Sequence, residues 1–173
     1  MAATDPAVLA VVSDAGPLIH LDELDCIDLL ADFAPVLVPE AVWREVHLHR
    51  PSALAHPGVD LVRVSPLSSP EGAALKAPAR LLVLHVGELE ALQIALEHGR
   101  CLFLTDDTAA RLAAGNLGLP VHGTIGLVVR SIRRRQRTAK QVLAVLTSLP
   151  QRSTLHLKRS LLDAVIREVE RSI

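Results

Sequence analysis

Short apolar runs alternate with amphipathic stretches along most of the chain. Leu9 to Ser13 predicts a strand that ends in Asp14, and Ala15-Gly16-Pro17 follows at once. Pro17 suits a first helical turn, where its missing N–H costs nothing. Leu18, Leu21, Leu24 and Ile27 to Leu30 then recur at helical spacing, with Asp22, Glu23, Asp25 and Asp28 on an opposite, solvated face. Pro35 to Pro39 predicts a brief strand and Glu40 to His47 a short helix. His49 to Gly58 reads as a loop, and Val59 to Val64 as a third strand, at an edge because prolines crowd it. Ser65 to Pro78, rich in Ser, Pro, Gly and Ala, reads as a mobile loop with one helical turn. The clearest helix runs from Gly87 to His98 and stops at Gly99, a residue suited to a helix end. Cys101 to Thr105 is a buried strand, followed by a helix through Arg111 to Ala114. Leu119 to His122 is a last short strand, and Ile125 to about Arg135 a helix. Ala139 to Leu149 and Leu157 to Val169 close the chain as helices. Strand–helix alternation of this kind predicts an α/β fold, with a central, mostly parallel sheet covered on both faces.

Composition narrows the options. The 173 residues suit one domain, and half are hydrophobic, enough for a sizeable core. A formal net charge of −1 gives no whole-molecule attraction for nucleic acid. Phe33, Trp43 and Phe103 are the aromatic residues, with no Tyr, which argues against a base-stacking platform. Cys26 and Cys101 lie far apart in apolar surroundings without metal-type spacing, and read as buried free thiols in a reducing compartment. The start carries Asp5 and Pro6 where a secretory leader would be basic, and no apolar run reaches the ~20 residues that span a bilayer. A cytoplasmic protein with no membrane attachment is the expectation.

The chemistry lies in the acids. Asp14 ends one buried strand, Asp106 and Asp107 end another, Glu88 opens the helix expected to pack near that edge, and Glu45 sits beside the apolar face of the second helix. Ligands of open α/β sheets bind at the C-terminal edges of the strands. Converging carboxylates repel and need a counter-charge. A set of oxygens without Cys or His suits Mg²⁺ or Mn²⁺, which keeps several waters and needs one or two direct carboxylates. Water acidified by such an ion can attack phosphorus. Each acid also has a structural reading: Asp14 and Asp107 as helix caps, Glu88 and Glu90 as complements to a helix dipole. Glu90 is rotated by ~200° from Glu88 and projects elsewhere. Asp107 could also pair with Arg111 one turn on. The basic run Arg130, Arg133, Arg134, Arg135, Arg137 and Lys140 reads equally as an RNA-backbone contact, a solvated helix end or a face for an acidic partner. His47 and His49 fall on opposite sides of a helix, which argues against a metal pair. A phosphatase would want a second Asp two residues after Asp14, where Gly16 stands.

Five stretches carry a family resemblance: Val-Ser-Asp-Ala-Gly-Pro-Leu-Ile at 12–19, Val-Pro-Glu-Ala-Val-Trp-Arg-Glu-Val at 38–46, Gly-Glu-Leu-Glu-Ala-Leu at 87–92, Leu-Thr-Asp-Asp-Thr-Ala-Ala-Arg at 104–111 and Gly-Leu-Pro-Val-His-Gly-Thr-Ile-Gly-Leu at 118–127. In order and spacing they resemble PIN-domain proteins, of the small prokaryotic branch with a Gly-Glu-x-Glu-Ala helix. The resemblance spans about residues 8 to 135. It implies a three-layer fold with C-terminal helices, a PIN-like catalytic domain at 1–137, and a helical extension at 138–173 packed on the same domain. It also implies a Mg²⁺- or Mn²⁺-dependent endoribonuclease, the toxin of a toxin–antitoxin pair, acting on RNA as a homodimer held by a small antitoxin. Carried over by position, the catalytic acids are Asp14, Glu45, Glu88 and Asp106, with Asp14, Glu88, Asp106 and Asp107 as metal ligands. Counting from Gly99 selects Asp106 as the fourth acid, and counting from Thr105 selects Asp107. Two departures stand out. Ala15 replaces the family's usual hydroxyl after the first Asp, and Glu88 replaces the commoner Asp. A catalytically weak PIN-like module that works by binding a partner protein is the alternative implied.

Overall fold

The computed structural model describes residues 10–68, 75, 81–99 and 101–172. Leu9 and most of the expected Ser65–Pro78 loop lie outside the described residues. The strands are β1 (Ala10–Ser13), β2 (Val36–Pro39), β3 (Leu61–Val64), β4 (Cys101–Leu104) and β5 (Val121–His122). The helices are α1 (Ala15–Glu23), α2 (Glu40–His49), α3 (Val86–His98), α4 (Thr108–Asn116), α5 (Thr124–Arg133), α6 (Ala139–Arg152) and α7 (Arg159–Glu170). Short 3₁₀ turns run through Ile27–Asp32 and Pro51–Leu54.

The strands pair in the order β3-β2-β1-β4-β5, and every pairing is parallel. β3 is an edge strand, as its prolines foretell. Residues of the central strands alternate between two cores, because successive side chains point to opposite faces. Val11, Val36, Val38, Leu102 and Leu104 pack under α1, α2, α5, α6 and α7. Val12, Leu37, Cys101 and Phe103 pack under α3 and α4. α4 presents Ala110, Ala113 and Ala114 to that face, so its backbone approaches the sheet closely. The result is a three-layer α/β fold. The C-terminal helices add Val142, Leu146, Leu149, Leu162 and Val169 to the first core. Cys26 and Cys101 are buried free thiols.

The expected helix from Leu18 to Leu30 is divided. α1 ends at Glu23, Asp25 takes a left-handed φ of 54°, and the 3₁₀ turn follows. Asp tolerates this conformation better than most residues. The redirected chain brings Cys26, Ile27, Leu29 and Leu30 all into the core. The acids of this region are also not a plain solvated face. Asp22 accepts from Arg50 at 2.6 Å, Asp28 from Arg137 at 2.7 Å, and Asp32 from Arg130 at 2.9 Å and Arg134 at 2.7 Å. The Arg130 guanidinium also lies 4.6 Å from the Phe33 ring centre. No helix among the described residues is long and apolar enough to cross a membrane.

Leu146 of α6 is fully buried in the core it shares with Trp43 of α2, although the two are distant in sequence. Leu146→Ala is expected to lower the unfolding free energy by about 2–5 kcal/mol. Urea unfolding followed by Trp43 fluorescence should shift in one transition together with the far-ultraviolet signal.

Candidate functional site

β1 is the strand from which the chain leaves for β2 on one side while β4 lies on the other. Its C-terminal end is therefore the topological switch point, where α/β sheets bind ligands. A cavity of about 300 Å³ opens there, lined by Asp14, His20, Glu45, Glu88, Asp106 and Asp107 among others. The five acids expected from the sequence thus line one cavity, but they are held in different ways.

Asp14 is 7% exposed. Its backbone N–H donates to Leu104 O at 2.9 Å, which continues the β1–β4 ladder by one residue. One carboxylate oxygen caps α1 by accepting from Ala15 N–H at 2.7 Å, and the other accepts from Thr105 Oγ1 at 3.0 Å. Burial pushes its pKa up to about 7, with the charges of Glu88 and Glu45 adding to the rise against the two hydrogen bonds. Glu88 is 6% exposed and reaches back to accept from His85 N–H at 2.6 Å, closing the first turn of α3. Burial also raises its pKa, and the charges of Asp107 and Glu45 add to the rise. Glu45, exposed on α2, accepts no hydrogen bond among the described residues and faces Gly87. Glu90 turns away, as its angular offset requires, and accepts from Ala41 N–H at 2.8 Å, tying α3 to the start of α2.

Asp106 is committed to its neighbours. One oxygen accepts from Thr124 N–H at 2.7 Å, and the other from Thr124 Oγ1 at 2.6 Å and His20 Nδ1 at 2.8 Å. Burial acts to raise its pKa, but these bonds outweigh it and hold the carboxyl below its usual range. Gly123 makes the arrangement possible. A Cβ there would stand 2.6 Å from Asp106 Oδ1 and 2.6 Å from Arg111 Nη2. Asp107 is exposed and caps α4 through Ala110 N–H at 2.8 Å. It forms no ion pair with Arg111, whose Nη2 donates instead to Thr105 O at 3.0 Å.

Several lining groups carry no sequence signal of their own. His20 is brought to Asp106 by α1, one turn beyond Gly16 on the same face. Thr105 places a hydroxyl on Asp14 although Ala15 offers none. Thr154 and His156, from the link between α6 and α7, form a further wall. The basic run lies at the far end of α5 and beyond it, beginning ~9 Å along the helix from Thr124 at 1.5 Å per residue. Arg130, Arg134 and Arg137 are held there by Asp32 and Asp28, and Arg133 and Arg135 are exposed.

A PIN-domain family model matches residues 10–171. The chain belongs to the PIN-domain family. No curated protein matches it. PIN domains are nuclease-type folds that typically use divalent metals. Among the described residues, no three His, Cys, Asp or Glu side chains stand close enough to cage a metal. Mg²⁺ does not need a cage, since it binds through one or two carboxylates and retains waters. Asp14 and Glu88 meet that requirement in this PIN domain: both are buried, both line the cavity, and each raises the cost of charging that region.

Asp14 also sets a pH dependence. Between its ordinary 3.8 and about 7, the folded chain holds a proton that the unfolded chain releases, so stability falls as pH rises through that window. The full span corresponds to ~4 kcal/mol. Glu88 acts in the same direction, whereas the lowered Asp106 costs stability only as pH falls below the ordinary carboxylate range. In EDTA, the urea midpoint is expected to drop from pH 5 to pH 8. Asp14→Asn, which keeps one acceptor oxygen for Ala15 N–H and offers its amide as a donor to Thr105 Oγ1, should flatten that drop.

Proposed function

We propose that this PIN domain is a Mg²⁺- or Mn²⁺-dependent endoribonuclease that hydrolyses RNA phosphodiesters. The observation that carries the reading is the pair of buried carboxylates, Asp14 and Glu88, lining one cavity at the switch point of the sheet, with no Lys or Arg among its described lining residues. A buried anion is retained at a cost unless a proton or a cation answers it. Asp14 and Glu88 would hold the ion, and Glu45, exposed at the rim, would orient water towards the phosphate. When bound, the divalent ion supplies positive charge for the phosphate oxygens and acidifies water. Asp106 acts as a positioning residue. It fixes the start of α5 through Thr124 and directs the His20 ring into the cavity. Thr105 fixes the orientation of the Asp14 carboxylate, which would hold the ion.

The toxin role, the small antitoxin and the homodimer come from the family resemblance, while a cytoplasmic setting rests on the two free thiols, which fit a reducing compartment. A second reading, a PIN module that acts by binding a partner protein, draws on the commitment of Asp106 to Thr124 and His20 and on Ala15. One assay separates the two. With Mn²⁺ or Mg²⁺, the wild-type chain is expected to cut single-stranded RNA, and EDTA to stop it. Asp14→Asn should lower kcat about 100-fold or more, because a charge that stabilises the transition state through the ion is lost. Absence of both cleavage and calorimetric metal binding in the wild type would leave the partner-binding reading.

A further inference from the structure

A second cavity of about 600 Å³ adjoins the acid-lined one and shares Asp106, Leu155 and His156 with it. Its character is opposite. Arg111 from α4, Lys158 at the head of α7, His122 at the end of β5 and His156 all line it. Among its described lining residues the one acid is Asp106, whose oxygens are taken by Thr124 and His20. Arg111 uses one nitrogen on Thr105 O and is otherwise exposed, and Lys158 is exposed. Neither forms an ion pair among the described residues, in contrast to Arg130, Arg134 and Arg137. Burial lowers the pKa of His122, and Arg130, Arg111 and Arg133 lower it further.

The wall between the two cavities is well anchored. Leu155 and His156 belong to the strap that links α6 to α7. Glu23 of α1 clamps its start, accepting from Ser153 Oγ at 2.8 Å, Thr154 N–H at 2.8 Å and Thr154 Oγ1 at 3.0 Å. Arg152 adds an ion pair with Asp25. The cationic groups are therefore presented on a preformed surface, which lowers the entropic cost of binding.

A polyanion lying over the acid cavity is repelled by it unless cations hold the adjoining charges. Resting on the nuclease reading above, we propose that the second cavity is a phosphate shelf. It binds the phosphodiester group next to the scissile one on an RNA strand, with Arg111 as a planar donor and Lys158 as a point charge. The shelf reads charge and not base, so its contribution is the same for any sequence.

The test is fluorescence anisotropy of two unrelated single-stranded RNA oligonucleotides on the full chain, in EDTA, across a salt series. Lys158→Ala and Arg111→Gln are each expected to weaken binding to both RNAs and to reduce the salt slope by about 0.7. Arg171→Ala, at an exposed arginine paired with Glu168, should leave the slope unchanged. In the metal-containing cleavage assay, Lys158→Ala should raise KM and preserve kcat. An unchanged slope in both shelf variants, an equal fall in Arg171→Ala, or a loss confined to one RNA overturns the shelf. If the shelf variants bind as wild type while cleavage proceeds, the nuclease reading stands without it. If the slopes fall as expected but no metal produces cleavage, the shelf stands and the nuclease reading fails.

Discussion

A carboxylate buried at the end of a central strand is the constraint on which this molecule turns. Asp14 extends the β1–β4 ladder through its backbone, caps α1 through one oxygen and takes a threonine hydroxyl on the other. Sheet, helix and cavity therefore meet in a single residue. Burying a charge so fully is unfavourable, and Glu88, buried nearby, makes it more so. The two apolar layers on either side of the sheet hold both groups in place against that repulsion. On the nuclease reading proposed above, a divalent cation would relieve that tension.

The hydroxyl on Asp14 shows how position in space can substitute for position in sequence. At 15 the chain carries alanine, buried against the core. Thr105, at the end of the neighbouring strand, meets the same carboxylate from 91 residues away. Parallel pairing of β1 with β4 puts the two strand ends side by side, which brings the Thr105 hydroxyl to Asp14.

Features set by local pattern were legible in the sequence. The strand ending at Asp14, the α3 helix with Glu88 in its first turn, and the cap at Asp107 all follow from spacing and residue type. So did the divergence of Glu90 from Glu88. Features set by distant pairing were not. The break at Asp25 depends on tertiary packing overriding a helical period. The basic run looked free because its partners, Asp28 and Asp32, lie about a hundred residues earlier in a stretch that itself looked solvated. The engagement of Asp106 with His20 spans 86 residues, and neither residue announces the other.

The clamp between Glu23 and Thr154 closes across 131 residues. All five strands and every acid of the cavity precede Thr154 in the chain. Contacts of such separation form late, since a long loop must be closed first. The strap that divides acid from cation is thus held by a contact whose loop-closure cost is high. The pocket's acids thus come from the stretch between β1 and α4 and its wall from the link after α6, and Glu23 is the residue that joins the two.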